Sequence, residues 1–290
     1  MVAVTRIRLD LSYDGTDFSG WARQPELRTV QGALEDAIAT VLRTERLGLP
    51  APRLVVAGRS DSGVHARGQV EHVEVDVEAW AAVVGRSVLE PAQAFLRRLA
   101  GVLPRDVVVH RASAAPEGFD ARFSALERSY VYRVSDDVAT RDPLRRSHVT
   151  WHARPLDVDA MARAAAPIAG LHDFAAFCKP REGATTIRTL ESFAWRRVDE
   201  GADDGGLVIA TVVADAFCHH MVRALVGASL AVGEGRRDPA WLAGLLVAER
   251  GAMTEALAPP HGLTLEAVAY PPDSELAERA EQTRARRDSA

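Results

Sequence analysis

Apolar and polar residues alternate from the start of the chain. Val4, Ile7, Leu9 and Leu11 stand among polar neighbours over residues 4–13, and the run ends in the turn sequence Asp14-Gly15-Thr16. This pattern predicts a strand. From Thr29 onward the apolar spacing becomes three and four, through Val30, Leu34, Ile38 and Val41/Leu42, which places one stripe on a helix. Leu54-Val55-Val56 reads as a short buried strand. Val73, Val75 and Val77 alternate with Glu74, Asp76 and Glu78 as a half-exposed one, and the loop 58–68 lies between the two. A helix carrying Phe95, Leu96 and Leu99 stops at Gly101. A strand at 107–109 and an alternating strand through Tyr130, Tyr132 and Val134 complete the first half.

The second half repeats the style. Residues 157–168 read as a helix, 190–199 and 207–216 as antiparallel strands around the turn-rich stretch 201–206, and 217–232 as an apolar helix. Asp238-Pro239 starts another helix by N-cap and fixed first-turn geometry. Leu263, Leu265 and Ala267 alternate in a last strand before Pro271-Pro272. The class is α+β: two similar halves, 1–140 and 141–272, with a mostly antiparallel sheet flanked by helices. Residues 273–290 hold one large apolar residue, Leu276, with four Arg against five Asp/Glu. They are expected to form a disordered charged tail.

Composition narrows the picture only a little. With 47% hydrophobic and 26% charged residues in 290, wholesale disorder and collagen are excluded. The formal net charge of −5 argues against a generally basic nucleic-acid binder, so a polyanion must be held by local patches. Lys179 is the only lysine and there is no asparagine, a pattern that coding bias explains as well as RNA binding does. Cys178 and Cys218 are too few for a disulfide framework and form no Cys-x-x-Cys pair. With no signal-peptide core and no run of about 18 uncharged apolar residues, a soluble cytoplasmic protein outside the membrane is expected.

Candidate chemistry concentrates in Gly58-Arg59-Ser60-Asp61-Ser62-Gly63-Val64-His65-Ala66, where a guanidinium, a carboxylate and an imidazole lie between sharp turns. By itself the segment reads equally as an Asp/Ser-rich turn with an internal salt bridge. A serine-hydrolase elbow fails, because the glycine required at 62 is Ser62. His172-Asp173 and Cys218-His219-His220 offer metal-ligand types without a second spaced pair, and adjacent residues entering a helix point in different directions.

Several further motifs stand in order along the chain. They are Tyr13-Asp14-Gly15-Thr16-Asp17-Phe18-Ser19-Gly20-Trp21, Arg28-Thr29-Val30-Gln31-Gly32, the Arg59 loop, Phe119-Asp120-Ala121-Arg122-Phe123-Ser124-Ala125 with Arg128-x-Tyr130-x-Tyr132, Phe217-x-x-His220-Met221-Val222-Arg223, and Gly262-Leu263 followed by Val268-Ala269-Tyr270-Pro271. With these landmarks the sequence resembles the tRNA pseudouridine synthase A family from about residue 4 to 271. The resemblance implies a pseudouridine synthase fold and an isomerase that needs no cofactor and no metal. It implies a homodimer acting on uridines 38, 39 and 40 of the tRNA anticodon stem-loop.

The family's catalytic aspartate falls on Asp61, and attack on the sugar or on the base both remain open. Tyr130 is expected to stack on the displaced uracil, Arg223 to face the carboxylate and Arg59 to help extrude the base. Phe119, Asp120, Ala121, Arg122, Phe123 and Arg188 lie in segments similar to family tRNA contacts; Arg141, Arg145 and Arg146 are added from charge density alone. The roles are physically coherent. Flipping a base costs a few kcal/mol, and aromatic stacking returns roughly 1 to 3. An arginine stays charged beside a carboxylate where water is excluded. Tyr130 also reads as a core aromatic paired with Tyr132. The sequence departs from the family at Ser60, where threonine is usual, at Ala22, where glutamine is, and over 79–92, where a basic residue is missing near Ala79-Trp80. A non-catalytic binder of structured RNA and a metal-dependent hydrolase are the alternatives from other classes.

Overall fold

The computed structural model describes residues 3–180, 183, 185–248 and 252–288. Its strands are β1 (Val4–Tyr13), β2 (Leu54–Val56), β3 (His65–Asp76), β4 (Val107–Ala114), β5 (Glu127–Ser135), β6 (Thr150–Trp151), β7 (Gly170–Asp173), β8 (Ile187–Arg197), β9 (Val208–Ala214) and β10 (Leu263–Ala269). The helices are α1 (Val30–Leu42), α2 (Val77–Ala82), α3 (Pro91–Ala100), α4 (Val158–Ala165), α5 (Met221–Gly233), α6 (Pro239–Gly244) and α7 (Leu276–Asp288). The class is the α+β one expected, with mostly antiparallel strands flanked by helices.

Two compact units divide the chain, Met1–Leu126 with Ala267–Ala290, and Glu127–Glu266. The divisions at 126 and 266 differ from the expected 140 and 272. β5 pairs antiparallel with β9, so the chain has already joined the second unit at Glu127, and it crosses back within β10. Such long-range pairing leaves no local mark in the sequence.

In the first unit β1 runs antiparallel to both β3 and β4, and β2 adds to β3. The odd positions of β1, Ile7, Leu9, Leu11 and Tyr13, form its buried face, as the alternation predicts. α1 begins at the Thr29 cap, whose hydroxyl accepts the Gly32 N–H at 3.2 Å. The strand expected to continue through Val77 ends instead at Asp76. That carboxylate accepts the Ala79 N–H at 2.7 Å and caps α2, leaving Val77 exposed. Within α2 Ala79 is buried, and the Trp80 ring lies 5.1 Å from Phe95 of α3, so the atypical 79–92 stretch supplies packing surface.

The expected disordered tail is a helix. Leu276 joins Ala57, Val70, Phe119 and Ala121 in one buried cluster, and Ala280 is buried as well. One large apolar anchor and a buried alanine suffice because distant residues 57–121 build the cluster that Leu276 completes.

In the second unit β9 lies between β5 and β8, β7 pairs with β8, and β6 is the parallel exception beside β5. α4 packs on β8 and α5. α5 is buried along nearly its whole length, as its apolar composition requires. Cys178 and Cys218 are joined to each other by a disulfide, with Cα atoms 5.7 Å apart. Two cysteines make no framework, but here they do make one crosslink.

Candidate active site

Asp61 lies on the loop between β2 and β3, partly exposed, while its flanks are fixed by backbone bonds. Ala57 N–H donates to Val70 O at 2.9 Å and Gln69 Nε2 to Gly58 O at 2.9 Å, so the loop leaves β2 in one register. On the far side of the turn Val64 N–H returns to Asp61 O at 3.2 Å. The segment 18–21 supplies a second frame. Trp21 N–H donates to Ser60 O at 3.1 Å, and Ser62 Oγ and Gly63 N–H both donate to Phe18 O. Gly20 has φ +89°, and a Cβ there would stand 3.1 Å from Ser60 O and 3.3 Å from the Asp61 carbonyl carbon. The Gly20-Trp21 pair and the Asp61 loop, 40 positions apart in sequence, are therefore one device: glycine admits the loop and the next amide holds it.

The hydroxyl of Ser60, the serine in place of the usual threonine, is 2.7 Å from the Tyr13 hydroxyl. Burial pushes the Tyr13 phenol up to about 12, so it remains a neutral hydrogen-bonding group. His65 is buried, and its Nδ1 accepts the Gly15 N–H at 3.0 Å, tying the Asp14-Gly15 turn to the base of the loop. These contacts explain Ser60 and His65 structurally and leave Arg59 and Asp61 as the residues the loop presents. Arg59 is exposed.

The 119–125 segment divides by burial. Phe119 and Ala121 are 0% exposed and belong to the core cluster, so their side chains, expected to meet substrate, serve packing. Arg122 is exposed and Phe123 partly so. Asp120 Oδ1 accepts the N–H groups of Arg122 and Phe123, each at 2.9 Å, fixing the turn that presents them. His72 Nδ1 accepts the Ala121 N–H at 3.1 Å.

The second unit holds Tyr130, Arg223 and Arg188. Tyr130 on β5 is opposite Val212 of β9 and 7% exposed; the Phe217 ring meets it edge-on at 5.2 Å. Phe217, whose stacking role sequence reasoning did not single out, thus orients the expected stacking ring. Arg223, in the first turn of α5, donates from Nε to Ala258 O at 2.9 Å, and Ala258 N–H returns to Arg223 O at 3.0 Å. The Cys178–Cys218 crosslink restrains the loop between Phe217 and Arg223. Arg188 on β8 faces His172 of β7, and its Nη2 donates to Thr185 O at 2.8 Å. His172 and Asp173 are strand residues, and Asp173 Oδ1 accepts the Ala175 N–H at 3.0 Å and the Thr186 hydroxyl, which fixes the local turn.

Local structure uses the arginines added from charge density. Arg145 pairs with Asp204 at 3.2 Å, Arg141 donates to His152 O at 2.9 Å, and Arg146 to Pro143 O at 2.8 Å.

A family model described as tRNA pseudouridine synthase matches residues 164–271. Among curated relatives, the chain is 57% identical to tRNA pseudouridine synthase A of Streptomyces griseus subsp. griseus, over 96% of this chain and 93% of that one. It is 54% identical to tRNA pseudouridine synthase A of Leifsonia xyli subsp. xyli, over 97% and 96%, and 48% identical to that of Bifidobacterium longum, over 97% and 99%. The family match and these relatives place the chain among isomerases of the pseudouridine synthase class. Within that class the chain belongs to the tRNA pseudouridine synthase A family.

Proposed function

We propose that this protein converts uridine to pseudouridine at positions 38, 39 and 40 of the tRNA anticodon stem-loop, with Asp61 as nucleophile. The observation that carries the reading is the Asp61 loop. It is a carboxylate left partly exposed on a turn that Trp21 N–H holds at Ser60 O and that Ser62 Oγ and Gly63 N–H tie to Phe18 O, as a group that must meet a reacting atom in fixed geometry requires. The net chemistry is an isomerisation. The bond from uracil N1 to the ribose C1′ breaks, a bond from C5 to C1′ forms, C5 loses a proton and N1 gains one. No co-reactant enters the balance.

The target uridine must leave the helix stack, at a cost of a few kcal/mol. Arg59, exposed two residues before Asp61, is suited to fill or stabilise the vacated place. Tyr130, held perpendicular to the Phe217 ring, is suited to stack on the extruded base. Arg223 supplies the cation for the carboxylate and the developing charge. Arg122, Phe123 and Arg188 are read as tRNA contacts, and the backbone of 119–121 as their support. The same reading makes the protein a cytoplasmic homodimer. Among the described residues no helix is long and apolar enough to cross a membrane.

The test uses metal-free protein and unmodified tRNA, with pseudouridine mapped nucleotide by nucleotide. The parent is expected to modify 38–40. Asp61→Ala is expected to bind tRNA within about twofold of the parent and to form no product, since removing a nucleophile abolishes the covalent route while leaving binding intact. Product from Asp61→Ala at the parental rate would end the assignment. Salt-sensitive binding without product from the parent would make the protein a non-catalytic RNA binder.

A further inference from the structure

We infer that Arg284 of the carboxy-terminal helix α7 is a positioning residue for tRNA binding: it neutralises Asp120 and holds Phe123 in the segment that presents Arg122. The inference rests on the tRNA reading above and extends it to a helix beyond the last family landmark.

Helix α7 is seated directly on this segment. Ser124 Oγ donates to Leu276 O at 3.0 Å. Gly118, at φ +75°, lies so close that a Cβ there would come within 2.4 Å of the Ala277 Cβ. Two turns further on, Arg284 Nη2 donates to Asp120 Oδ2 at 2.8 Å. Its guanidinium carbon stands 4.9 Å from the Phe123 ring centroid, and that of Arg122 5.4 Å from the same ring. The two oxygens of Asp120 are therefore divided: Oδ1 builds the turn through the Arg122 and Phe123 amides, and Oδ2 meets Arg284.

This division resolves a conflict. The turn needs a side-chain oxygen at position 120, yet a carboxylate in a segment that faces a polyanion repels it. Arg284 cancels that charge without occupying the oxygen the turn uses. It also fixes one side of Phe123 by a cation–π contact, which restricts the ring against which Arg122 is laid.

Four proteins test this: the parent, Arg284→Ala, Arg284→Lys, and the double variant Asp120→Asn with Arg284→Ala. Each is assayed for KM and kcat with unmodified tRNA, and for thermal unfolding. Arg284 is half exposed while Leu276 and Ala280 anchor the helix, so all four are expected to unfold within a few degrees of one another. Arg284→Ala is expected to raise KM about fivefold, the size of one partly exposed charge interaction, with kcat within about twofold. Arg284→Lys keeps the charge and most of the affinity. The double variant returns to within about twofold of the parental KM, because an asparagine oxygen still accepts both amides and no charge remains to offset.

A merely structural role for Arg284 predicts no rescue by Asp120→Asn. A parental KM in Arg284→Ala, or a double variant as weak as the single one, overturns the inference while leaving the activity standing. A parent that forms no pseudouridine overturns the functional reading and this one with it.

Discussion

Adjacent residues on β3 are tuned in opposite directions by burial. Glu71 is fully buried, its carboxylate oxygens have no hydrogen-bond partner among the described residues, and Glu35 adds a second negative charge nearby. Burial first, and Glu35 second, push its carboxyl well above the ordinary range. The folded state thus holds a proton that the unfolded chain releases near pH 4.5. The stability tied to this group is complete below that pH and is lost as pH rises towards the folded value. His72 is pulled down to about 4, first by burial and then by Arg6, so the stability tied to it is present above about 6.5 and is lost as pH falls towards 4. Its neutral ring is what accepts the Ala121 amide. Glu71→Gln is therefore expected to stabilise the fold by roughly 1 to 2 kcal/mol at pH 8 and by less at pH 5, read from urea unfolding at the two values. A loss at pH 8, or an equal gain at both, would show that the carboxyl is not under strain. None of this was legible in the sequence. Glu71 is buried by both β1 and β2, which flank it at Leu9 and Val56, and neither neighbour is local.

Elements were legible where their information is local. β1, α1, α3, β5 and β9 follow from periodicity, a Thr cap and a Gly stop. α7 and the end of β3 do not, because Leu276 is buried by residues 57–121 and Asp76 acts as a cap only once the strand has ended. The cysteine pair is a similar case. Cys178 follows a single 3₁₀ turn and Cys218 precedes α5, so only the fold brings them together. The crosslink closes a loop with a sequence separation of 40, which in the chain-entropy account restricts the unfolded state by about 3 to 4 kcal/mol. Oxidised protein is accordingly expected to lose stability of that order on addition of a dithiol reductant. Cys218→Ser should be unaffected by the same addition. Because the crosslinked loop carries Phe217 and leads to Arg223, reduction is also expected to raise KM for tRNA more than Cys218→Ser responds to it. Identical unfolding midpoints with and without reductant would show that the bond carries no stability.

For the whole molecule, the formal charge of −5 is the wrong quantity for judging an RNA partner. Exposed charges more than about 8 Å apart are largely screened at physiological salt, so binding depends on placement. The structure sorts the arginines accordingly. Arg145 is consumed by Asp204, and Arg236 and Arg237 by Glu255, whereas Arg59 and Arg122 are presented at surfaces of the first unit and Arg188 lies on β8 of the second. In the sequence these three are marked by the family-like motifs they lie in, Arg59 by the Asp61 loop and Arg122 and Arg188 by their own segments, and motifs have local signatures. Charge density, which has none, picked out the 141–146 cluster, whose arginines bond to His152 O, Asp204 and Pro143 O. If Arg59, Arg122 and Arg188 each neutralise one phosphate, the logarithm of the tRNA association constant should fall by about 0.7 to 0.9 per contact for each tenfold rise in salt. Between 50 and 200 mM salt this weakens binding roughly 20- to 40-fold. Arg122→Ala should lower both the affinity at 50 mM and the salt slope, the latter by close to one contact's share. Filter binding over a salt series reads both numbers. A protein of net charge −5 whose tRNA affinity stayed level across that range would have to hold RNA by stacking and shape alone, and the arginine assignments would fall together.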